Sequence, residues 1–345
     1  MNYYLLFLIL IIFTYIFIEK VLNIKNRENV FLIVAFIEML LFLGLRDITI
    51  GTDLKNYIPY FNLIKQAKWN NLFILKLEKG YILLNKIISI FGNENFFLFV
   101  VAIITLSGVY FSIKRFSKNY FFSVFIFITF QFYIFQFSGL RQAIAFSIVL
   151  MSLKYIQERK LFKFIIIIII ASTFHKTAII FIPAYWIMKN KITIKSIAIF
   201  LVTFILLYIV KGQILMLITK YIYSTYDVSK TAGGYTMLVL LFGIFIFFTL
   251  IRNKNAEFDK NNDIWFNMLM IAILIQSLAS VQGNIARLTM YYSYSLLFLI
   301  PNVVHNTENS NQRILIKTII YILLLCFFIT NIQIDTLYIP YKTFF

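Results

Sequence analysis

The sequence is poor in the residues that build metal and redox sites. Among its 345 residues there is one cysteine, Cys326, and there are two histidines, His175 and His305. A single cysteine excludes an intrachain disulfide, a thiolate cluster and a dithiol redox motif. Two histidines are too few for a histidine-built metal site, and no Asp-x-Asp pair lies in a loop. We therefore expect neither a metal nor a cofactor.

Long polar stretches, proline-rich linkers and nucleotide-binding loops are also missing. The chain has 4 prolines, and it contains no G-x-x-x-x-G-K-[ST] motif. What it has instead is apolar residues, which make up 61% of the chain and give a mean hydropathy of +0.86. Soluble domains average about 45–50% apolar residues. Because no polar stretch is long enough for a second domain, we expect residues 1–345 to form a single transmembrane domain.

Long apolar runs predict an all-α, polytopic integral membrane protein with about 12 transmembrane helices. Several runs are shorter than the ~20 residues of a span, so some helices must be broken, tilted or shielded by protein. The first run lacks a basic n-region and a cleavage site, and we take it as a span rather than a signal peptide. The runs are Tyr3–Ile18, Val30–Leu45, Phe96–Ile113, Tyr120–Gln136, Gln142–Ile156, Leu161–Thr173, Thr177–Met188, Ser196–Val210, Tyr235–Ile251, Ile264–Val281, Leu288–Val304 and Ile314–Ile332.

Basic residues outnumber acidic ones, with 32 Lys and Arg against 14 Asp and Glu. These charges lie mostly between apolar runs, so we expect membrane lipids and phosphorylated ligands as partners and no nucleic acid. Slightly more than half of the basic residues fall in one set of short connections, which we assign to the cytoplasm. Both termini and two long loops, residues 46–79 and 211–234, then lie outside. The run Tyr81–Phe91 is too short to span and predicts a re-entrant or interfacial helix.

Several polar residues that interrupt apolar runs come out on the outer face in this topology. The stretch FSGLRQAIAF, residues 137–146, places Arg141 between two strongly apolar segments. An arginine at bilayer depth costs roughly 2.5–3.5 kcal/mol on insertion scales, so Arg141 is expected either to contact an anion or to snorkel to headgroups. The other members of this outer set are Arg46, Gly51, Thr52, Asp53, Tyr57, Glu78, His175 and Arg287.

Each of these residues also has a structural interpretation. Asp53 can cap the helix that follows it, His175 can be a hydrogen-bonded corner histidine, and Arg287 can snorkel. Tyr57 can stack on a sugar or belong to an interfacial aromatic belt, and Gln142 can bind a phosphate or begin a helix. If the set forms one site, its arginines suit a phosphorylated or carboxylated ligand. A carboxylate or a histidine beside them offers a general base.

Four blocks in this order resemble the EpsG/Wzy-like polysaccharide polymerase family. LGLRDITIGTDLKNYIPYF is similar to its R…GTD…Y signature, and EKGYILLNKI at Glu78–Ile87 is similar to its E-x-G-Y-x-L-L-N segment. SGLRQAIAFSI matches an R-Q-x-I-A block, and FHKTAII at Phe174–Ile180 matches an H-K-T-A block. Together the blocks cover Gly44–Pro183. The second half of the chain shows no matching block, so Arg287 depends on the topology alone.

The resemblance implies a membrane glycosyltransferase of the bacterial cytoplasmic membrane that joins sugar repeat units of O antigen, capsule or exopolysaccharide. A growing glycan would pass from one polyprenyl diphosphate carrier to the repeat unit on another, at the outer face, and a chain-length regulator is a candidate partner. In this interpretation Arg46, Arg141 and Arg287 hold the diphosphate, with Tyr57 and Gln142 as further substrate contacts. Asp53 or His175 is the base, and Glu78 is a reserve base. Direct displacement would invert the anomeric centre without a metal.

Two other functions fit part of the pattern. A transporter or flippase of lipid-linked oligosaccharide would carry basic residues along the depth of a cavity open to both sides. The notable charges here cluster at one face, which favours an enzyme. A ligase that moves the finished glycan to another acceptor could use the same outer arginines, and the sequence separates it poorly from a polymerase.

Overall fold

The computed structural model describes residues 3–221, 234–252, 262–279, 285–332 and 341–345. Helices account for 81% of these residues, and no strand occurs among them. A single antiparallel bridge joins Arg46 to Thr343. The all-α class predicted from the apolar runs is therefore confirmed.

The chain groups into two compact units, which we describe separately. The first contains Met1–Ile179 and Ile300–Phe345, and the second contains Ile180–Leu299. The expectation of a single transmembrane domain stays a prediction. The helices before the second unit are α1 (Tyr3–Lys20), α2 (Arg27–Gly44), α3 (Leu54–Gln66), α4 (Lys79–Phe91), α5 (Glu94–Phe116), α6 (Tyr120–Thr129), α7 (Phe132–Phe135), α8 (Leu140–Gln157) and α9 (Leu161–Ser172). Those that follow are α10 (Ala184–Ile187), α11 (Ile194–Tyr221), α12 (Tyr235–Arg252), α13 (Asn262–Ala279), α14 (Ala286–Ser293), α15 (Leu296–His305) and α16 (Ser310–Ile332).

Within the described ranges, five helices are long and apolar enough to cross a membrane. Shorter apolar helices accompany them, so the chain is a membrane protein, but the count of about 12 spans is not confirmed. The five candidate spans are Tyr3–Lys20, Glu94–Phe116, Ile194–Ile214, Asn262–Ala279 and Ser310–Asn331.

Three of the predicted spans are interrupted. The run Tyr120–Gln136 divides into α6 and α7, because Gln131 takes a left-handed backbone with φ of 67°. The run Thr177–Met188 is a 3-10 helix, Lys176–Phe181, followed by the short α10 after Pro183. Proline lacks the N–H that would continue a helical ladder. The third, Leu288–Val304, divides into α14 and α15.

The two predicted outer loops are partly helical. Residues 46–79 contain α3 and a 3-10 helix, Trp69–Ile74. Helix α11 continues through Tyr221, so the expected loop at 211–234 is wrong in its first part, and residues 222–233 lie outside the described residues. Lys211 and Gly212 are the residues that predict a helix end here, but the helix continues through them. The separate short helix expected near residues 81–91 is present as α4.

In the first unit, α8 packs between α5 and α9. Gly108 of α5 allows the close approach, because a Cβ at this position would overlap the carbonyl oxygen of Ser147 on α8. The Gly108 N–H and the Ser147 hydroxyl then form a cross-helix hydrogen bond of 3.1 Å. Small residues at such contacts bring helix backbones together in membrane proteins. This contact fixes α8, whose first turn carries Arg141.

In the second unit, α13 is the central helix, and α11, α12 and α14 pack against it. Its buried Asn267 donates hydrogen bonds from Nδ2 to the carbonyl oxygens of Met188, at 3.0 Å, and Asn190, at 2.8 Å. These bonds satisfy main-chain carbonyls that follow α10, as the ends of helices require.

Candidate active site

Glu78, Arg141 and His175 meet in the first unit. Nη1 of Arg141 donates to Oε2 of Glu78 at 2.6 Å, and Nδ1 of His175 lies 3.4 Å from Oε1 of the same carboxylate. The Glu78 side chain is 9% exposed, against 27% for Arg141 and 23% for His175. The carboxylate is thus the least exposed member of the group, and its two neighbours are more exposed. We call these three residues the charged triad.

The local sequence explains how the start of α4 places Glu78 next to Arg141 and His175. The main-chain N–H groups of Gly80 and Tyr81 donate to the carbonyl oxygen of Thr173, at 2.9 and 3.3 Å. A Cβ on Gly80 would lie 2.9 Å from that oxygen and closer still to the Thr173 hydroxyl. Only glycine fits this approach without a shift of the neighbour. The first turn of α4 is therefore seated on the end of α9, two residues before His175.

Tyr57 supports Arg141 from α3. Its ring lies 5.6 Å from the guanidinium carbon of Arg141, within cation–π range. The side chain is buried, and its ring is 5.8 Å from the ring of Tyr81 on α4. The predicted sugar stacking by Tyr57 stays a prediction. What the structure adds is a positioning contact, because the ring covers one side of the guanidinium.

The electrostatics of the charged triad keep Glu78 ionised. Burial raises the pKa of the Glu78 carboxyl, but the His175 imidazole and the positive charge of Arg141 outweigh it and lower the pKa to about 2. Arg141 lies in the first turn of α8, where the helix dipole disfavours a cation. The carboxylate of Glu78 compensates for this unfavourable placement. Nε of Arg141 is buried and has no hydrogen-bond partner among the described residues, so the guanidinium keeps donor capacity for a ligand.

Arg46 lies in a different setting from Arg141. It is 1% exposed, and its guanidinium donates to the carbonyl oxygens of Leu43, of Ile50 at 3.3 Å and of Phe137 at 3.4 Å. A diphosphate contact, as predicted, would require the guanidinium to leave these carbonyls. In the structure, Arg46 holds the loop that follows α2 against the residues that precede α8.

The Gly-Thr-Asp turn packs against the same residues. Gly51 has φ of 131°, and a Cβ there would overlap the carbonyl oxygen of Phe137. The Thr52 N–H and hydroxyl both donate to the Ser138 hydroxyl, at 2.8 and 2.9 Å. The first and third sequence blocks are therefore in direct contact, although they lie about 90 positions apart.

Asp53 occupies the N-cap position of α3, as expected, but its side chain makes no capping hydrogen bond. The prediction that its side chain caps the helix is wrong. Its carbonyl oxygen accepts instead from the N–H groups of Asn56, at 3.0 Å, and Tyr57, at 3.2 Å. Its role as a base stays a prediction.

The remaining predicted residues lie at two places. Gln142 follows Arg141 on α8 and is buried. Arg287 is an exposed residue at the start of α14, in the second unit. The ligand contacts expected of both stay predictions.

Sequence reasoning named all three members of the charged triad but ranked Glu78 as a reserve base. It also missed Gly80 and Thr173, whose contact seats α4. The glycine of the E-x-G-Y segment was the available signal, since a glycine inside a helix start indicates a close approach. In the described part of the chain, no group of three or more His, Cys, Asp and Glu side chains could hold a metal ion.

Comparisons with known proteins give one match. A model of the EpsG family matches residues 29–343, which is most of the chain. The match includes all four blocks and continues through the second unit. No curated protein matches the chain. No solved structure matches it either.

Proposed function

The chain belongs to the EpsG family of Wzy-like polysaccharide polymerases, and from this premise we propose the reaction that it catalyses. It transfers a glycan from one polyprenyl diphosphate carrier to the repeat unit on a second carrier, at the outer face of the bacterial cytoplasmic membrane. One observation carries the proposal. Three of the four family-like blocks contribute one residue each to the charged triad, Glu78, Arg141 and His175.

Arg141 binds the diphosphate of the donor in this proposal. During transfer, the bond between the anomeric carbon and the phosphate oxygen breaks, and the polyprenyl diphosphate leaves with the electron pair. A guanidinium placed at that oxygen stabilises the growing negative charge. The planar fork suits a phosphate better than a lysine ammonium does. The support is the partly exposed position of Arg141 at the first turn of α8, the end of the helix whose dipole favours an anion.

His175 takes the proton from the attacking sugar hydroxyl. Its Nδ1 is turned towards the Glu78 carboxylate, which leaves Nε2 available to accept the proton. A carboxylate that orients a histidine base is a recurring catalytic arrangement. Glu78 itself is a poor base because its pKa is lowered to about 2. We assign it to orienting His175 and Arg141, with Asp53 as the second candidate base.

Arg46 and Tyr57 position these groups. Arg46 holds the loop between α2 and α3, and Tyr57 packs on Arg141. The new bond forms on the face opposite the leaving diphosphate, so the anomeric centre inverts. The partners are the polyprenyl diphosphate-linked oligosaccharide, the membrane lipids and a chain-length regulator.

The test is the glycan ladder of a deletion strain that carries wild-type protein or one of three variants, Arg141→Ala, His175→Ala and Arg115→Ala. Arg115 is the matched control, because it is also an arginine in an ion pair, with Glu158 at 3.0 Å. We expect a collapse to single-repeat product with the first two variants and a normal ladder with Arg115→Ala, at equal expression by immunoblot.

Other outcomes would assign the chain elsewhere. Full-length chains that stay unattached in the deletion strain would indicate a ligase. Accumulation of lipid-linked repeat units on the cytoplasmic face would indicate a flippase. A normal ladder with well-expressed Arg141→Ala would contradict the role given to the charged triad.

A further inference from the structure

Residues 54–91 form a segment that is too short in each of its parts to cross a bilayer. Helices α3 and α4 have 13 residues each, and the 3-10 helix between them has 6. At about 1.5 Å per residue, a 13-residue helix is about 20 Å long, against ~30 Å of hydrocarbon. These elements can lie along a membrane surface but cannot span it.

The segment exposes many large apolar side chains. On α4, Leu83, Ile87 and Ile90 share one face at helical spacing, and Phe91 extends that face. The opposite face of α4 is buried against the first unit. Exposed apolar residues also occur on α3 and the 3-10 helix. These are Tyr60, Leu63, Trp69, Phe73 and Ile74. An apolar surface of this extent marks a contact with a membrane or a partner.

The charge of the segment favours a membrane over a protein partner. Its exposed charged side chains are all lysines. They are Lys55, Lys65, Lys68, Lys76 and Lys79. The one acidic residue in the segment is Glu78, whose carboxylate is engaged by Arg141 and His175. Lysines beside exposed tryptophan and aliphatic residues are typical of helices that lie in an anionic headgroup layer.

A groove of about 550 Å³ lies where α3 ends and α4 turns into α5. Lys65 and Asn93 line its polar side, and Ile90, Phe91 and Phe96 line its apolar side. An ammonium group beside an apolar wall fits a phospholipid, with the phosphate at the lysine and the acyl chain along the aromatic rings. The groove therefore places a lysine beside apolar side chains on this surface, an arrangement that suits a phospholipid headgroup.

We propose that residues 54–91 form an interfacial platform that binds anionic phospholipid, with one headgroup seated beside Lys65. The same platform supplies Glu78 to the charged triad and places Tyr57 against Arg141, so the position of the platform in the headgroup layer sets the depth of the site. The proposal concerns the lipid contact alone and does not depend on the reaction.

The experiment uses the full chain in nanodiscs and the fluorescence of Trp69. The other tryptophans, Trp186 and Trp265, are replaced by phenylalanine, so the signal reports the platform. The discs contain phosphatidylglycerol or phosphatidylcholine at equal mole fraction, brominated either near the glycerol or near the chain end. We expect glycerol-proximal bromine to quench more strongly, and brominated phosphatidylglycerol to quench about twofold more than brominated phosphatidylcholine.

The paired variant Lys65→Gln/Lys68→Gln should abolish the preference for phosphatidylglycerol. Its matched control is Lys191→Gln/Lys195→Gln, which removes two exposed lysines from the second unit and should keep the preference. Three outcomes would overturn the proposal. Brominated phosphatidylglycerol and phosphatidylcholine could quench Trp69 equally, bromine near the chain end could quench it more strongly than bromine near the glycerol, or only acrylamide could quench it. If the tryptophan variant does not fold, native mass spectrometry can measure the phosphatidylglycerol retained by the two lysine variants in the otherwise wild-type chain. Less retained lipid in Lys65→Gln/Lys68→Gln than in Lys191→Gln/Lys195→Gln would support the proposal, and equal retention would overturn it.

Discussion

Helix α8 has an arginine–glutamate ion pair near each end. The nitrogen–oxygen distances of the two pairs are similar, but the exposure of their side chains differs. Near the N-terminus, Arg141 and Glu78 are 2.6 Å apart, with side chains 27% and 9% exposed. At the C-terminus, Glu158 contacts Arg115 at 3.0 Å and Lys160 at 2.8 Å, with 32% or more of each side chain exposed. The comparison teaches that a short ion pair does not by itself identify a site.

Helix polarity separates the two ends further. The dipole disfavours a cation in the first turn of a helix and favours one in the last turn. Arg115 lies in the last turn of α5, where cations are stabilised, whereas Arg141 lies in the first turn of α8, where they are not. Arg141 occupies this unfavourable position over the ring of Tyr57 and against the half-buried carboxylate of Glu78. Because the position does not favour stability, it indicates that Arg141 has a functional role.

The largest expected effect comes from Arg141→Lys. Lysine keeps the charge but cannot hold Glu78 and a phosphate with one planar group. We expect polymerisation of a lipid-linked repeat unit by the reconstituted protein to fall about 100-fold or more, as for loss of one preorganised donor. Arg115→Lys, at the other end of α8, should stay within about twofold of wild type, since surface pairs contribute little. If Arg141→Lys and Arg115→Lys lost similar amounts of polymerisation activity, the two ends of α8 would not differ in function.

Glu78→Gln should reduce turnover by about tenfold or more, because it leaves Arg141 and His175 without their shared partner. It also tests the pKa. The folded-state pKa is about 2, below the ordinary value of 4.5, so the ionised carboxylate stabilises the fold above about pH 5 and this contribution is lost towards pH 2.

The measurement is the melting temperature of purified wild type and Glu78→Gln from pH 7 down to pH 3. We expect wild type to be the more stable at pH 7 and the difference to shrink as the pH falls. Glu158→Gln is the comparison at the exposed end, and its difference from wild type should be small throughout. A constant difference between wild type and Glu78→Gln across this range would contradict the assigned pKa.

Much of the fold and of the candidate site could be predicted from the sequence, and part could not. Apolar periodicity and the cost of a buried arginine identified the helices and Arg141, because both are local properties. The role of Arg46 was not predictable in this way, because its guanidinium reaches the carbonyl of Phe137, 91 positions away. Likewise, hydropathy does not reveal the left-handed Gln131 that divides α6 from α7. These features depend on tertiary contacts and on backbone geometry, which composition does not record.

Gly80→Ala tests whether the seating of α4 matters. The added methyl group would meet Thr173 and displace the first turn of α4, which moves Glu78 away from Arg141. Displacements of this size near a reacting centre can lower rates by about tenfold or more. The matched control is Gly243→Ala on α12, where a Cβ would meet nothing within 4 Å. We expect the first variant to lose activity in the reconstituted assay and the second to retain it; equal activities would show that the seating is unimportant.

The smallest expected effect comes from Tyr57→Leu. Loss of the ring removes the cation–π contact and leaves the Arg141–Glu78 pair in place, so we expect a reduction of about two- to fivefold in turnover, consistent with a contact of roughly 0.5–1 kcal/mol. Tyr60→Leu is the control on the same helix, because Tyr60 is exposed. Complete inactivity of well-folded Tyr57→Leu would instead place the tyrosine in direct contact with the substrate.

The most direct test of the charged triad is the charge swap Arg141→Glu/Glu78→Arg, measured as turnover per folded protein together with the melting temperature. If the pair only holds helices together, the swap restores both stability and polymerisation relative to either single variant. Our account predicts that the swap recovers thermal stability while polymerisation stays at the level of Arg141→Glu, because the guanidinium no longer faces the diphosphate. Recovery of polymerisation to near wild type would contradict the account and reduce the pair to a structural contact like that of Arg115 and Glu158.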